Sequence, residues 1–525
     1  MLAAALGAAL LSQSLFQGRL VLESQPSGFT VIKDPYGFAN APGAKTLPPF
    51  DFEFVQKGHV LIPMRRGAIP SSHPFWEFVL EPGRVQAGDD GFSSAELPFA
   101  LEERNENCMH QGVLTFRFNS GGAVTGAHVD IAAETCAHFQ FDMWGDLTAS
   151  YVPGAVDGAA AAVKAHRKEE ATRLPQRTFA ALAKKYPGID VTAFGAQVAP
   201  QDMSLYGLVL DGTNYVGGCQ TRNGAYPFCA QMDLPSFSLA KSVFASAMTM
   251  RLSELYPGTS SQHIAPYVPQ CASAGNWGDV SFGETLDMAT GNYLSNLSQA
   301  DENSPDMSVF LASETHDGKI GFSCAHYPRK SAPGTLWVYH TADTYTLGTA
   351  LRAYYAAKAG PDRDFTNDLL IEPIWRPLHL HPALAVVRRT YDTAAQPFAG
   401  YGLTLTADDV AKLSIFLNDD HGTRKGRPVL DQAMLSAALQ QTPGDPGLVA
   451  GEADLRYHYG FWAWNAQAAL GCRQPAWIPF MSGYGGIVVA LLPNGMTYYY
   501  FSDGGSFVFS RAVAEADKIK PFCQR

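Results

Sequence analysis

One stretch constrains the fold more than any other. Residues 235–255, PSFSLAKSVFASAMTMRLSEL, run through small and apolar side chains almost without interruption. A helix that is apolar all round has to be buried on most of its sides. The chain must therefore build a large body of structure about it, and 525 residues are enough. That length exceeds one ordinary core and predicts two domains or three. Lys241 is the one charge in the opening turns, and the only lysine of the chain that stands three residues after a serine. Three apart on a helix, Ser238 and Lys241 share a face. They sit just after Pro235, at the positive end of the helix dipole. A buried amine is desolvated, so its pKa falls toward that of a working base. A hydroxyl beside such an amine is an activated nucleophile. By spacing alone, the alternative is a plain N-terminal serine followed by a snorkelling lysine.

The flanking segments predict the rest of the body. LYGLVLDGTNYVGGC reads as a hairpin turning at Asp211-Gly212, and GIVVALLPNGMTYYYFSDGG as a second one turning at Asn494-Gly495. SRAVAEADKIK reads as a closing helix. Strands, then helices, then strands predict an α+β domain with an antiparallel sheet over residues 188–525. Residues 156–187 are Ala-rich and charged with apolar positions at helical spacing, and read as a helical linker ending at Pro187-Gly188. Residues 20–155 are rich in aromatic and β-branched runs broken by Gly, Asn and Pro, and predict a mostly β N-terminal domain, a sandwich or a barrel.

The hairpin followed by S-x-x-K at the opening of a buried helix resembles the penicillin-recognising serine hydrolases. This family includes class C β-lactamases, D-Ala-D-Ala carboxypeptidases, and related esterases and 6-aminohexanoate-oligomer hydrolases. The resemblance covers roughly residue 201 to the C-terminus, in five segments in the family's order. After Ser238-Leu239-Ala240-Lys241 come VSFGETLDMATGNY with Thr290-Gly291, then PGTLWVYHTADTYTLGTAL. The latter carries Tyr339-His340-Thr341 where the family has Y-x-N or Y-x-S/T. QPFAGYGLTLTADDVAKL and PFMSGYGGIVVALLPNG complete the series. The resemblance implies a β-lactamase/transpeptidase-like domain, an antiparallel sheet with a helical subdomain. It implies that Ser238 attacks a carbonyl and forms an acyl-enzyme, with Lys241 as its base. Tyr339 is expected to be held partly ionised by the neighbouring ammonium and to shuttle the proton to the leaving group. An oxyanion hole is expected from the backbone N–H of Ser238 and one from the SGYGG strand, supplied at Tyr484, Gly485, Gly486 or Ile487. Thr341 and Tyr293 are further candidates for substrate contact.

The chain departs from the family in its third motif. Tyr484 stands where the family has Lys or His, so no cation is expected there to bind a substrate carboxylate. This favours a neutral ester or amide, hence a carboxylesterase or amidase, over a β-lactamase or D,D-peptidase. A non-catalytic binding protein for peptide or cell-wall ligands is the alternative. No G-x-S-x-G elbow, H-E-x-x-H or P-loop occurs. His379-Leu380-His381 would place two imidazoles on one face of a strand, but no third ligand stands at a telling spacing, so no metal and no cofactor are expected.

A net charge of -11 argues against a nucleic-acid partner. The substrate is expected to be a small molecule or peptide-like. The eight cysteines include no C-x-x-C and predict four local disulfides, Cys108–Cys136, Cys219–Cys229, Cys271–Cys324 and Cys472–Cys523. Residues 1–18 open with MLAAALGAALLSQS, an apolar run like a signal peptide lacking its basic start. Together these predict a secreted or periplasmic protein.

Overall fold

A computed structural model describes residues 15–23 and 28–524. Most of the leader-like segment lies outside them; at its end, Gln17 and Gly18 open the strand Gln17–Leu22. The chain forms two compact units. One comprises residues 1–102, 110–133 and 139–171, the other residues 103–109, 134–138 and 172–525. No helix among the described residues is long and apolar enough to cross a membrane.

The first unit is built on an eleven-stranded sheet, the mostly β organisation expected. Its strand order runs from Ala149–Pro153 to Thr30–Lys33. Strand alternation sets the core: Phe50–Lys57 buries Phe50, Phe52 and Phe54 and exposes Asp51 and Glu53. Phe16, stacked on Tyr151 with centroids 3.9 Å apart, meets Phe54, Phe116 and Phe118 edge-on.

The first helix, α1 (Ala159–Thr172), matches the helical reading of the linker. The second half of the linker departs from that reading. Gln176–Thr178, β1, is a strand that joins the second unit's sheet at its edge, parallel to its neighbour. Thr178 then caps α2 (Phe179–Lys185), accepting from the Ala181 amide at 3.3 Å.

The second unit holds a nine-stranded sheet. Its further strands are β2 (Met203–Leu210), β3 (Thr213–Gly218), β4 (Leu448–Ala450), β5 (Glu452–His458), β6 (Phe461–Asn465), β7 (Trp477–Gly483), β8 (Ile487–Leu491) and β9 (Thr497–Ser502). The order is β1-β3-β2-β9-β8-β7-β6-β5-β4. Beyond β1 every pair is antiparallel. Both predicted hairpins are present. β2 and β3 turn through Asp211 and Gly212, both at positive φ, as the tight turn demands. β8 and β9 turn through Gly495, φ 79°.

The apolar stretch forms α3, wound as a π-helix at Lys241–Ser246 and as an α-helix at Ala247–Leu255. Every residue from Leu239 to Met250 is buried, as its composition requires. Helix α4 (Thr341–Ala359) lies against α3, and α5 (Ser510–Ile519) sets Ala512, Val513 and Ala516 among the buried side chains of β2, β8 and β9. This is the α+β organisation expected, with helices gathered beside an antiparallel sheet. The eight cysteines pair in the four predicted disulfides. Such bonds persist in oxidising, extracytoplasmic surroundings.

Candidate active site

The segment before α3 is held by the AGYGLTL stretch. Leu234–Pro235 pairs antiparallel with Thr404–Leu405. The Ser236 amide donates to the Leu403 carbonyl at 2.9 Å, and the Leu403 amide to Ser236 Oγ at 3.0 Å. The chain then bends sharply through Phe237, whose φ of 38° is unusual for a bulky residue. Such a conformation costs about 1–3 kcal/mol and persists only where surrounding bonds dictate it. One side chain bonds to it repeatedly. Asn107, fully buried, accepts at Oδ1 from the Phe237 amide (2.8 Å), Ser236 Oγ (3.1 Å) and the Gly402 amide (3.2 Å). The bend leaves Ser238 at the mouth of α3, only partly buried, with its carbonyl accepting from the Lys241 amide at 3.0 Å.

Lys241 is 2% exposed, and its Nζ donates to three oxygens: Ser238 Oγ (2.9 Å), Thr341 Oγ1 (3.0 Å) and the Gly400 carbonyl (3.2 Å). It also lies 5.1 Å from the centre of the Tyr339 ring. Burial brings its pKa down to about 8, against the opposing pull of Glu302. Tyr339 is buried too, and hydrogen-bonds to Ser238. The structure corrects one expectation here. Burial, reinforced by Glu302, pushes the phenol well above its ordinary range, so Tyr339 is neutral and not partly ionised. A lysine whose own charge is weakened by desolvation cannot offset the cost of burying a phenolate.

Sequence reasoning missed Glu302. It accepts the Thr341 amide at Oε2 (2.8 Å) and the Thr341 hydroxyl at Oε1. Its neighbour Asp301 fixes the loop by accepting from the Leu294 and Ser295 amides and by pairing with His340 Nε2 at 3.1 Å. Burial works against the His340 charge, but Asp343 and Asp301 outweigh it and raise the imidazole to about 9. In the sequence, Asp301-Glu302-Asn303 reads like an ordinary solvated loop. Only the partners of Thr341 distinguish it.

At the third motif, Tyr484, Gly485 and Gly486 form the turn between β7 and β8, with Gly483 paired to Ile487. A Cβ at Gly483 would lie 2.8 Å from the Ser236 carbonyl, so the end of β7 abuts the segment before α3. Tyr484 is half exposed, its ring 5.6 Å from Phe237 and 5.9 Å from His138. Gly486 turns away toward Ser502 and Ser506, and Ile487 is buried in the sheet. A cation does stand near this motif, contributed by residues 134–138. His138 lies 2.9 Å from Glu103 and 3.1 Å from Glu106. Burial lowers it, but the two carboxylates raise it to about 9 and take up its charge.

The remaining candidates are not drawn in. Tyr293 is buried, its amide donating to the Pro328 carbonyl at 3.1 Å. His379 lies in the turn after a helix and His381 caps the short 3-10 helix Pro382–Ala385, neither on a strand, and His381 Nδ1 accepts from the Ala383 amide. Among the described residues, each cluster with metal-ligand spacing includes Cys108, whose sulfur is bonded to Cys136 and offers no thiolate.

No protein-family model matches the sequence, and no curated protein matches it. Among solved structures the chain is similar to EstCE1, a hydrolase with promiscuous acyltransferase activity. The identity is 17% and the TM-score 0.46, over 62% of this chain and 99% of that one. It is similar to a family VIII carboxylesterase at 16% identity and a TM-score of 0.42, over 63% of this chain and 97% of the other. It is also similar to a protein assigned as a 6-aminohexanoate-dimer hydrolase from Bacillus anthracis. There the identity is 15% and the TM-score 0.45, over 61% of this chain and 78% of that one.

Proposed function

We propose that the second unit is a serine hydrolase that cleaves an ester or amide through an acyl-enzyme on Ser238. One observation carries this reading: a buried amine, brought to about 8 by desolvation, lies 2.9 Å from the hydroxyl of a partly exposed serine. As the Ser238 oxygen bonds to the substrate carbonyl carbon, its proton passes to Lys241. The oxyanion is held by the Ser238 amide and, with β7 against the nucleophile segment, by the Tyr484 amide. Tyr339, neutral and bonded to Ser238, donates its proton to the leaving group and is reprotonated from Lys241. Water then releases the acyl group by the reverse sequence. A small neutral ester or amide is the favoured substrate, because the His138 charge near Tyr484 is balanced by Glu103 and Glu106. The four disulfides favour a secreted or periplasmic enzyme.

A fluorophosphonate probe should label Ser238, and labelling should vanish in Ser238→Ala. A screen of p-nitrophenyl esters, amide oligomers and β-lactams should show turnover among the first two classes. A folded protein that neither labels nor turns over any of them would instead support a non-catalytic binding protein.

A further inference from the structure

Glu302 has a chemical consequence for Lys241 that can be read from donors and acceptors alone. The Thr341 amide and hydroxyl both donate, and both are taken by the Glu302 carboxylate. With its proton committed there, the Thr341 oxygen can only accept from Lys241 Nζ, 3.0 Å away. The Gly400 carbonyl, also an acceptor only, takes a second N–H at 3.2 Å. The ammonium's third N–H goes to Ser238 Oγ; once deprotonated, the amine keeps two N–H bonds for Thr341 and Gly400 and turns its lone pair toward Ser238.

We propose that Glu302 is a positioning residue that acts on Lys241 through Thr341, orienting the amine toward Ser238 and countering the charge it takes up when the serine gives up its proton. In that step the Ser238 O–H bond breaks, the Oγ–carbon bond forms and Lys241 becomes an ammonium. Around Lys241, Ser238, Thr341 and the Gly400 carbonyl are uncharged and the Tyr339 phenol is kept neutral by burial; the carboxylate of Glu302 is the charge that acts on it.

The inference rests on the hydrolase reading, and two measurements keep their failures apart. The first is the pH dependence of kcat/KM for p-nitrophenyl acetate in wild type, Glu302→Gln and Glu302→Asp. Activity requires the neutral amine and rises as pH passes the Lys241 pKa. Removing a nearby negative charge lowers that pKa, so the rising limb of Glu302→Gln should move to lower pH by about one pH unit. Glu302→Asp, which keeps the charge, should hold the wild-type midpoint even if its rate falls. The second is the titration of the Lys241 ε-carbon by NMR in 13C-lysine protein, assigned by its loss in Lys241→Ala. It needs no turnover and should show the same drop in Glu302→Gln. An unchanged Lys241 midpoint in Glu302→Gln overturns the inference, whether or not the wild type hydrolyses anything. A shifted midpoint in a wild type without hydrolysis upholds it and removes the hydrolase reading instead.

Discussion

At the scale of single residues, the site depends on how burial treats two titratable groups in opposite ways. Desolvation disfavours whichever form is charged. It therefore lowers Lys241 to about 8 and raises Tyr339, as the proposed base and the proposed proton donor each require. Lys241→Ala and Tyr339→Phe should each lower kcat by about two orders of magnitude or more, the scale of a positioned acid–base group. Either variant retaining a near-wild-type rate in steady-state assays would remove that residue from its role. Ser238, Lys241, Tyr339 and Thr341 were legible in the sequence because their spacings are local and fall in recognisable segments. Glu302 and Asn107 were not. Each acts through a contact across the chain, 39 residues from Thr341 in one case and 130 from Phe237 in the other. Neither sits in a pattern that periodicity can mark.

At the scale of elements, the site needs the end of β7 to lie against the backbone of the segment before α3. Both hairpins and the buried helix could be read from turn residues and composition, because those signals are short-range. The added strand β1 could not, since Gln176-Arg177-Thr178 is exposed and polar and becomes a strand only by pairing with β3. The β7 contact depends on Gly483, where a Cβ would meet the Ser236 carbonyl at 2.8 Å. Backbone cannot move aside as a flexible side chain does. Gly483→Ala should push β7 and the Ser236–Phe237 bend apart, costing about 1–3 kcal/mol, the usual range for overpacking. It should also slow acylation by moving the Tyr484 amide away from Ser238. The expected result is a lower melting temperature together with slower probe labelling. Unchanged labelling at full stability would show that the contact has slack and does not set the oxyanion donor.

At the scale of the whole molecule, the second unit is assembled from three stretches of chain, two of them short. Residues 103–109 and 134–138 are joined by Cys108–Cys136, and the first carries Asn107. Its Oδ1 is the common acceptor for Phe237 N–H, Gly402 N–H and Ser236 O–H, all buried. Leaving buried donors without an acceptor costs about 1–3 kcal/mol each. The strained Phe237 bend loses three of the bonds that hold it when that acceptor is removed. A chain beginning at Thr172 lacks Asn107, and is expected to label at Ser238 at least about tenfold more slowly than the full chain, or not to fold. Truncation alone does not separate those outcomes, so the decisive variants are made in the full-length protein. Asn107→Leu removes the acceptor at similar size, and should slow labelling while the protein still unfolds cooperatively. Asn107→Asp keeps an acceptor for all three donors and should label much faster than Asn107→Leu. If Asn107→Leu labels at the wild-type rate, the bend at Phe237 is held by the rest of the unit, and residues 103–109 have no part in presenting the nucleophile.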